Sequence, residues 1–307
     1  MTFENRYNLP ASIALALSRQ DEDYSGPGVA HYPETISVST LVGPPMLACL
    51  RALRREEIVE DVSEGLWRML GTATHWAVEK ASPAHILSEA RLQADVYDVQ
   101  VSGQIDALDE DGWLDDYKTT SVWSLMLGDK PEWTAQLNCY DWLCRQNGIE
   151  APAGLRIIAI LRDWRRSEQR RDPARYPAIP IMIRPVARWT PEEQHDYLHA
   201  RVEAHTQAWD RIRAAHAGAC EMDVSWCCTA EERWQGPAKW AVYKNQNKRA
   251  AKLCDSEAEA FGWMALQPTG ASYRVEARPS RPTRCLDYCP VREWCPFGAG
   301  LAEEEDA

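Results

Sequence analysis

The sequence predicts an α/β core built on a mixed sheet, followed by a cysteine-rich C-terminal lobe. Two observations predict the core. Apolar residues recur at helical spacing up to about residue 80, then at strand spacing through three runs, then at helical spacing again, and then in one β-branched run. A third observation predicts the lobe: three of the ten cysteines fall within eleven residues near the C-terminus.

Residues 1–36 read as an irregular segment with one short helix, broken by Ser-Gly-Pro-Gly and His-Tyr-Pro-Glu-Thr. Residues 37–188 form the expected core. Helical spacing covers Pro45 to Arg55 and Val62 to Lys80, and Ser82-Pro83 is expected to end the second helix. Strands are expected over 88–96, 97–108 and 112–121, with the last two joined through Asp109-Glu110-Asp111-Gly112 as a hairpin turn. A helix opens at Pro131 and closes at Asn147-Gly148. Residues 154–164 hold the most β-branched run and predict a buried strand, with another strand over 179–186. Residues 189–218 predict one long helix, with a capping box from Thr190 and Glu193, Pro191 at the first helical position and Gly218 at its end. Residues 219–300, rich in Trp and Cys, lack long periodic runs, and the acidic tail 301–307 is expected to be disordered.

At 307 residues, 45% hydrophobic and 26% charged, the chain can bury a sizeable core. No run of about 18 apolar residues occurs, so no membrane span or membrane partner is expected. The first residues carry no basic leader, and the expected location is cytoplasmic. A formal charge of −12 argues against indiscriminate coating of nucleic acid, yet it does not exclude a nuclease, because metal-binding carboxylates are themselves negative and basic contacts can be local. Two local stretches are basic: residues 162–175 hold six arginines against three acids, and residues 244–252 hold four cations and no acid. Ten cysteines without a recognisable secretion signal point to a reducing compartment and to metal rather than to disulfides.

The hairpin over 104–120 carries the most chemistry. Alternation along a strand puts Asp116 and Lys118 on one face, and folding about Glu110 and Asp111 brings Asp106 nearly opposite. Two carboxylates beside an ammonium suit a hard cation such as Mg²⁺ or Mn²⁺, and the lysine can orient water or neutralise charge on phosphorus. Gly71 and His75 form G-x-x-x-H on the preceding helix, where an imidazole can complete the site. Gly103 and Asp106 form G-x-x-D, in which a small residue would let substrate approach. Gln136 and Tyr140 lie one turn apart on the following helix.

In this order on helix, strand, strand and helix, the motifs resemble the PD-(D/E)XK nuclease superfamily in its RecB-like exonuclease branch, over roughly residues 37–165. The resemblance implies a restriction-endonuclease-like core over 37–188, with a mixed central sheet flanked by helices. It implies catalytic Asp106, Asp116 and Lys118, with His75 as a further metal ligand beside both aspartates. It also implies substrate contact by Gln136 and Tyr140, and leaves Glu89 as an accessory acid. The second acid is Asp where the branch more commonly has Glu.

Cys285, Cys289 and Cys295, spaced C-x3-C-x5-C with prolines after the last two, suit a four-thiolate metal site that needs one more ligand. RecB-like nucleases with a 4Fe-4S cluster use such a trio plus one distant cysteine, and zinc is the runner-up. Cys228, in a Cys-Thr-Ala-Glu-Glu-Arg-Trp stretch similar to that of phage-encoded members, is the favoured fourth ligand. Cys49, upstream of the His75 helix, is the alternative, and Cys227 stays open. The resulting expectation is a Mg/Mn-dependent deoxyribonuclease of exonuclease type, in a host cytoplasm. Its DNA would be single-stranded or have free ends, and recombination or replication proteins would be partners. The rival expectations are a CRISPR-adaptation-type nuclease and a non-catalytic DNA-binding module with a structural metal cluster.

Overall fold

A computed structural model describes residues 1–18, 32–81, 87–126, 128, 130–268 and 270–305. The Ser-Gly-Pro-Gly breaker and the helix stop expected at Ser82-Pro83 lie outside the described residues. The chain divides into two compact units, Met1–Glu221 and Met222–Ala307.

The first unit opens with β1 (Thr2–Glu4), α1 (Ala11–Ser18), β2 (Thr35–Ser37), α2 (Val38–Leu41) and α3 (Pro45–Leu53). Then come β3 (Val59–Asp61), α4 (Leu66–Ala81), β4 (Leu87–Val96), β5 (Val99–Leu108), β6 (Trp113–Thr120), α5 (Val122–Met126) and α6 (Pro131–Gln146). The unit ends with β7 (Gly154–Leu161), α7 (Arg166–Arg171), β8 (Ile181–Val186) and α8 (Pro191–His216). Strand β1 pairs in parallel with β3, an element that three-residue strands cannot announce in sequence.

The main sheet is mixed, with strand order β2-β5-β6-β7-β8 and β4 also paired to β5. Strands β6 and β7 run parallel over their full lengths, joined by the crossover helix α6, while β8 returns antiparallel. Along β7, Leu155, Ile157, Ala159 and Leu161 alternate into the core as a central strand's period of two requires. Each such Leu or Ile contributes roughly 1.5–3 kcal/mol by burial. Helix α6 begins with Pro131 in its first turn, buries Leu137, Leu143 and Tyr140, and yields to Gly148 at φ +72°. Helix α8 starts in the capping box of Thr190 and Glu193 and belongs to this unit, packed on α3 and α6. Its Gln194 donates to both Asn138 and Asp141 of α6, while Asp141 Oδ1 has no hydrogen bond and lies 3.5 Å from Arg188 Nη2.

One feature of the sheet positions the site. Strand β5 has β4 along its whole length, but on its other edge β2 pairs only with Gln100–Ser102 and β6 only with Ala107 and Leu108. The hairpin therefore forks immediately after its turn.

In the second unit β9 (Lys239–Lys244) lies between β10 (Lys252–Cys254) and β11 (Tyr273–Arg278), antiparallel to both. Helix α9 (Glu257–Ala265) closes a small core of Val242, Cys254 and Ala260, walled by Trp240, Trp263 and Tyr273. The sequence predicts no sheet here, because strands of three to six residues show too few periods. The unit ends with α10 (Thr283–Asp287) and α11 (Pro296–Glu305). Helix α11 continues to Glu305, through most of the tail expected to be disordered. Among the described residues no helix is long and apolar enough to cross a membrane.

Candidate active site

The fork between β5 and β6 leaves backbone groups without ladder partners, and a side chain takes up one of them. The Tyr117 N–H donates to Asp106 Oδ2 at 2.6 Å, so a carboxylate of β5 replaces the missing carbonyl. Asp116 lies across the fork, almost wholly buried. Its Oδ1 accepts from Lys118 Nζ at 2.9 Å. Its Oδ2 lies 2.8 Å from the same ammonium, outside hydrogen-bond geometry, and has no other partner. Lys118 Nζ also donates to Gln136 Oε1 at 3.1 Å, and Gln136 Nε2 donates to Tyr140 Oη at 2.9 Å. One turn of α6 thus holds the lysine of β6 by a chain of side chains.

A second chain approaches Asp106 from the other side. His75 Nδ1 stands 3.4 Å from Asp106 Oδ1 and 3.3 Å from Glu89 Oε1. Glu89 Oε2 accepts from Gln104 Nε2 at 2.7 Å, and Gln104 Oε1 accepts from Arg91 at 2.8 Å. In the β4–β5 register Ser88 faces Ala107 and Ala90 faces Ile105, yet the intervening Glu89 is unpaired and left-handed at φ +50°. Such backbone costs a non-glycine residue about 1–2 kcal/mol. Here it turns the carboxylate toward Asp106.

Electrostatics agree with an acidic site that favours a cation. Burial, and then neighbouring Asp116, raise the Asp106 carboxyl above the ordinary aspartate range. Burial works against a charged His75, but the Glu89 hydrogen bond and the charges of Asp106, Glu89 and Asp116 outweigh it and raise its pKa. His75, Glu89 and Asp106 present donors within 4.8 Å of one another, the one such group among the described residues. The buried Asp116 Oδ2, which has no hydrogen-bond partner, adds a fourth donor and the third oxygen in the same cavity. This oxygen-rich, one-histidine set fits Mg²⁺ or Mn²⁺. It lines a cavity of about 410 Å³ that also takes in Ser37, Thr40, Arg51 and Arg91.

All six residues singled out from the hairpin and its flanking helices (His75, Asp106, Asp116, Lys118, Gln136 and Tyr140) line that cavity. Gly103 lines the same cavity, and a Cβ there would meet Tyr140 Cε1 at 2.7 Å and Leu143 Cδ1 at 2.9 Å, so the missing side chain also makes room for the Tyr140 ring. Gln104 and Arg91 carried no motif, and only the pairing of β4 with β5 reveals them.

In the second unit Cys227 Sγ lies 3.5 Å from Cys295 Sγ. Burial and then Glu232 push the Cys228 thiol up to about 12, with Cys295, Cys285 and Cys289 adding to the rise. Cys285 is raised by burial, then by Cys289 and Cys295. Five thiols thus lie near enough within this unit for their charges to act on one another, none in a disulfide, though no three of these sulfurs fall within 4.8 Å of one another. Cys49 belongs to the first unit, buried with its Sγ 3.3 Å from Tyr32 Oη, and that hydroxyl contacts His205 Nδ1 at 2.9 Å.

Comparison with known proteins adds a family. Residues 45–296 match the PD-(D/E)XK nuclease superfamily. No curated protein matches the sequence. A solved structure described as "Crystal structure of SSO0001" is 14% identical, over 68% of this chain and 93% of its own, with a TM-score of 0.42.

Proposed function

The chain belongs to the PD-(D/E)XK nuclease superfamily, and from that premise we propose that it is a divalent-metal-dependent DNA exonuclease of the RecB-like branch. The observation that carries this reading is the meeting of Asp106, Asp116 and Lys118 at the fork of β5 and β6, in one cavity with His75 and Glu89. A divalent ion held by His75, Asp106, Asp116 and Glu89 would supply Lewis-acid charge to the phosphate and acidify a water. Lys118 spends two of its three N–H donors on Asp116 and Gln136, and the third is free to orient the attacking water or meet charge on a phosphate oxygen. Gln136 and Tyr140 fix that ammonium and face the substrate strand. The order of the four motifs supports the exonuclease assignment, and the similarity of the stretch from Cys228 to Trp234 to that of phage-encoded members supports a role in phage replication, recombination or end processing.

In the second unit a 4Fe-4S cluster would be held by Cys285, Cys289 and Cys295 with Cys228. Cys228 shares this unit with the trio while the Cys49 thiol is engaged by Tyr32, which favours Cys228 over Cys49, and Cys227, 3.5 Å from Cys295, stays open as the fourth ligand. The cluster would tie the C-terminal segment to the loop before β9.

The test uses purified protein with end-labelled linear DNA, single- and double-stranded, beside a covalently closed circle, in Mg²⁺, Mn²⁺ or EDTA. Degradation of linear DNA in either metal, with the circle intact, is expected. Cleavage of the closed circle would refute the exonuclease reading, and inert linear DNA in both metals would refute the nuclease reading.

A further inference from the structure

Outside the cavity, α4 carries a second feature that the catalytic reading does not use. Trp67, Gly71 and His75 stand on successive turns, at i, i+4 and i+8, and so form one stripe along the helix. His75 ends that stripe in the metal-binding cavity. At Gly71 a Cβ would meet nothing within 4 Å, so the middle of the stripe is bare backbone beside open space. Trp67 begins it, and its indole is 54% exposed.

Trp67 is not a loose surface ring. The guanidinium of Arg162 lies over one face at 3.9 Å from the centroid, and Arg162 is anchored at the end of β7 through its N–H to Thr120 O at 3.0 Å. Helix α4 is tied to the same end of β6 through the hydroxyls of Thr74 and Thr119, 3.3 Å apart. Arg162 forms no ion pair among the described residues, and the adjacent Asp163 is engaged by the Val122 N–H at 2.7 Å. Lys130, which itself lies over Trp133 at 4.7 Å, is close enough to Arg162 for the two charges to act on each other. A chain of net charge −12 therefore keeps cations and a half-exposed indole together, two helical turns along α4 from the cavity residue His75.

We propose that Trp67, backed by Arg162, is a stacking platform for an unpaired base of single-stranded DNA whose backbone crosses Gly71 to reach the cavity at His75. The proposal rests on the nuclease reading and extends it to the form of DNA engaged. The separation fits: eight residues of helix rise about 12 Å, the length of roughly three or four stacked nucleotides at ~3.4 Å each. An unpaired base offers a free π-face to an indole, whereas inside a duplex, away from its ends, both faces of every base are covered by neighbours. One indole face carries the guanidinium, which leaves the other for the base, and the arginine's charge suits the strand's phosphates.

The test measures binding in EDTA, where no cleavage intervenes, with three fluorescent probes: a thymidine oligonucleotide, an abasic oligonucleotide of equal length and a blunt duplex. Trp67→Ala should weaken the thymidine probe by roughly 5- to 150-fold. Its affinity for the abasic probe and the duplex should stay as in the wild type. Trp67→Phe should recover most of the loss, and both variants should melt with the wild type because the ring is exposed. Unchanged thymidine binding in Trp67→Ala, or equal loss on all three probes, overturns the platform. Cleavage by the wild type in Mg²⁺ is assayed alongside. If it cuts DNA while Trp67→Ala binds normally, only the platform fails. If it neither binds nor cuts any DNA, the nuclease reading fails with it.

Discussion

Replacing Gly103 by alanine should damage the site without touching a charged group. The new Cβ would lie 2.7 Å from Tyr140 Cε1 and 2.9 Å from Tyr140 Cδ1. Carbon atoms in contact sit about 3.5–4.0 Å apart, so the ring must retreat by about 1 Å. Gly103 sits in a strand paired on β4 and Tyr140 on a buried helix, so neither backbone gives way easily. The retreat carries the tyrosine hydroxyl away from Gln136, at 2.9 Å, and loosens the 3.1 Å bond by which Gln136 holds Lys118. Overpacking of this kind costs about 1–3 kcal/mol, which lowers the melting midpoint by roughly 2–10 °C in a unit of this size. A catalytic group displaced by ~1 Å can lose ~100-fold in rate, so cleavage should fall by about 10- to 100-fold. Calorimetric melting and single-turnover cleavage read the two effects separately. In a Tyr140→Leu background the ring contacts are gone and the Leu143 Cδ1 contact at 2.9 Å remains, so part of its stability cost should disappear. A Gly103→Ala protein that melts and cuts like the wild type, or that loses as much in the Tyr140→Leu background, refutes the packing argument.

Tyr140→Phe removes only the hydroxyl that Gln136 grips, so cleavage should fall while Mn²⁺ binding by calorimetry stays unchanged; a drop in metal affinity would contradict this division of labour. His205 is wholly buried, and burial first, then Arg201, lower its pKa from 6.5 to about 4. Between those values the unfolded chain binds a proton that the native state refuses, so stability falls as pH drops from about 6.5 to about 4, by about 3 kcal/mol in total. Denaturant midpoints across that window should show the slope, and His205→Gln should flatten it. Anaerobically purified protein should be brown, with absorption near ~400 nm and about four irons per chain. Cys228→Ser should lose iron and melt early while Cys49→Ser keeps its iron. The reverse pattern would move the fourth ligand to Cys49, and stoichiometric zinc without iron would replace the cluster by a single ion.

The approach of Asp106 to Asp116 and Lys118 was legible because it depends only on a hairpin turn and the strand period of two. His75, Gln136 and Tyr140 were legible because helical spacing places them on single faces, and the capping box of α8 because it is local. What stayed hidden depends on the third dimension. Glu89 reaches His75 only because its backbone leaves the ladder at φ +50°, a conformation its residue type does not announce. Gln104 and Arg91 join the site through a register that no single strand encodes. Gly103 was legible as a small residue, but which neighbour needed the space was not. The β9–β11 sheet escaped notice because its strands are short and its core residues come from three separate segments.

Metal-dependent cleavage at the fork of β5 and β6 is tested most directly by comparing Asp116→Asn with the wild type on linear DNA in Mg²⁺ and in EDTA. This substitution keeps the shape of a buried side chain and removes the charge beside Lys118. The wild type should cut in Mg²⁺ and stop in EDTA, and the folded variant should be slower by at least ~100-fold. Wild-type rates from Asp116→Asn, or cleavage that continues undiminished in EDTA, would contradict the assignment.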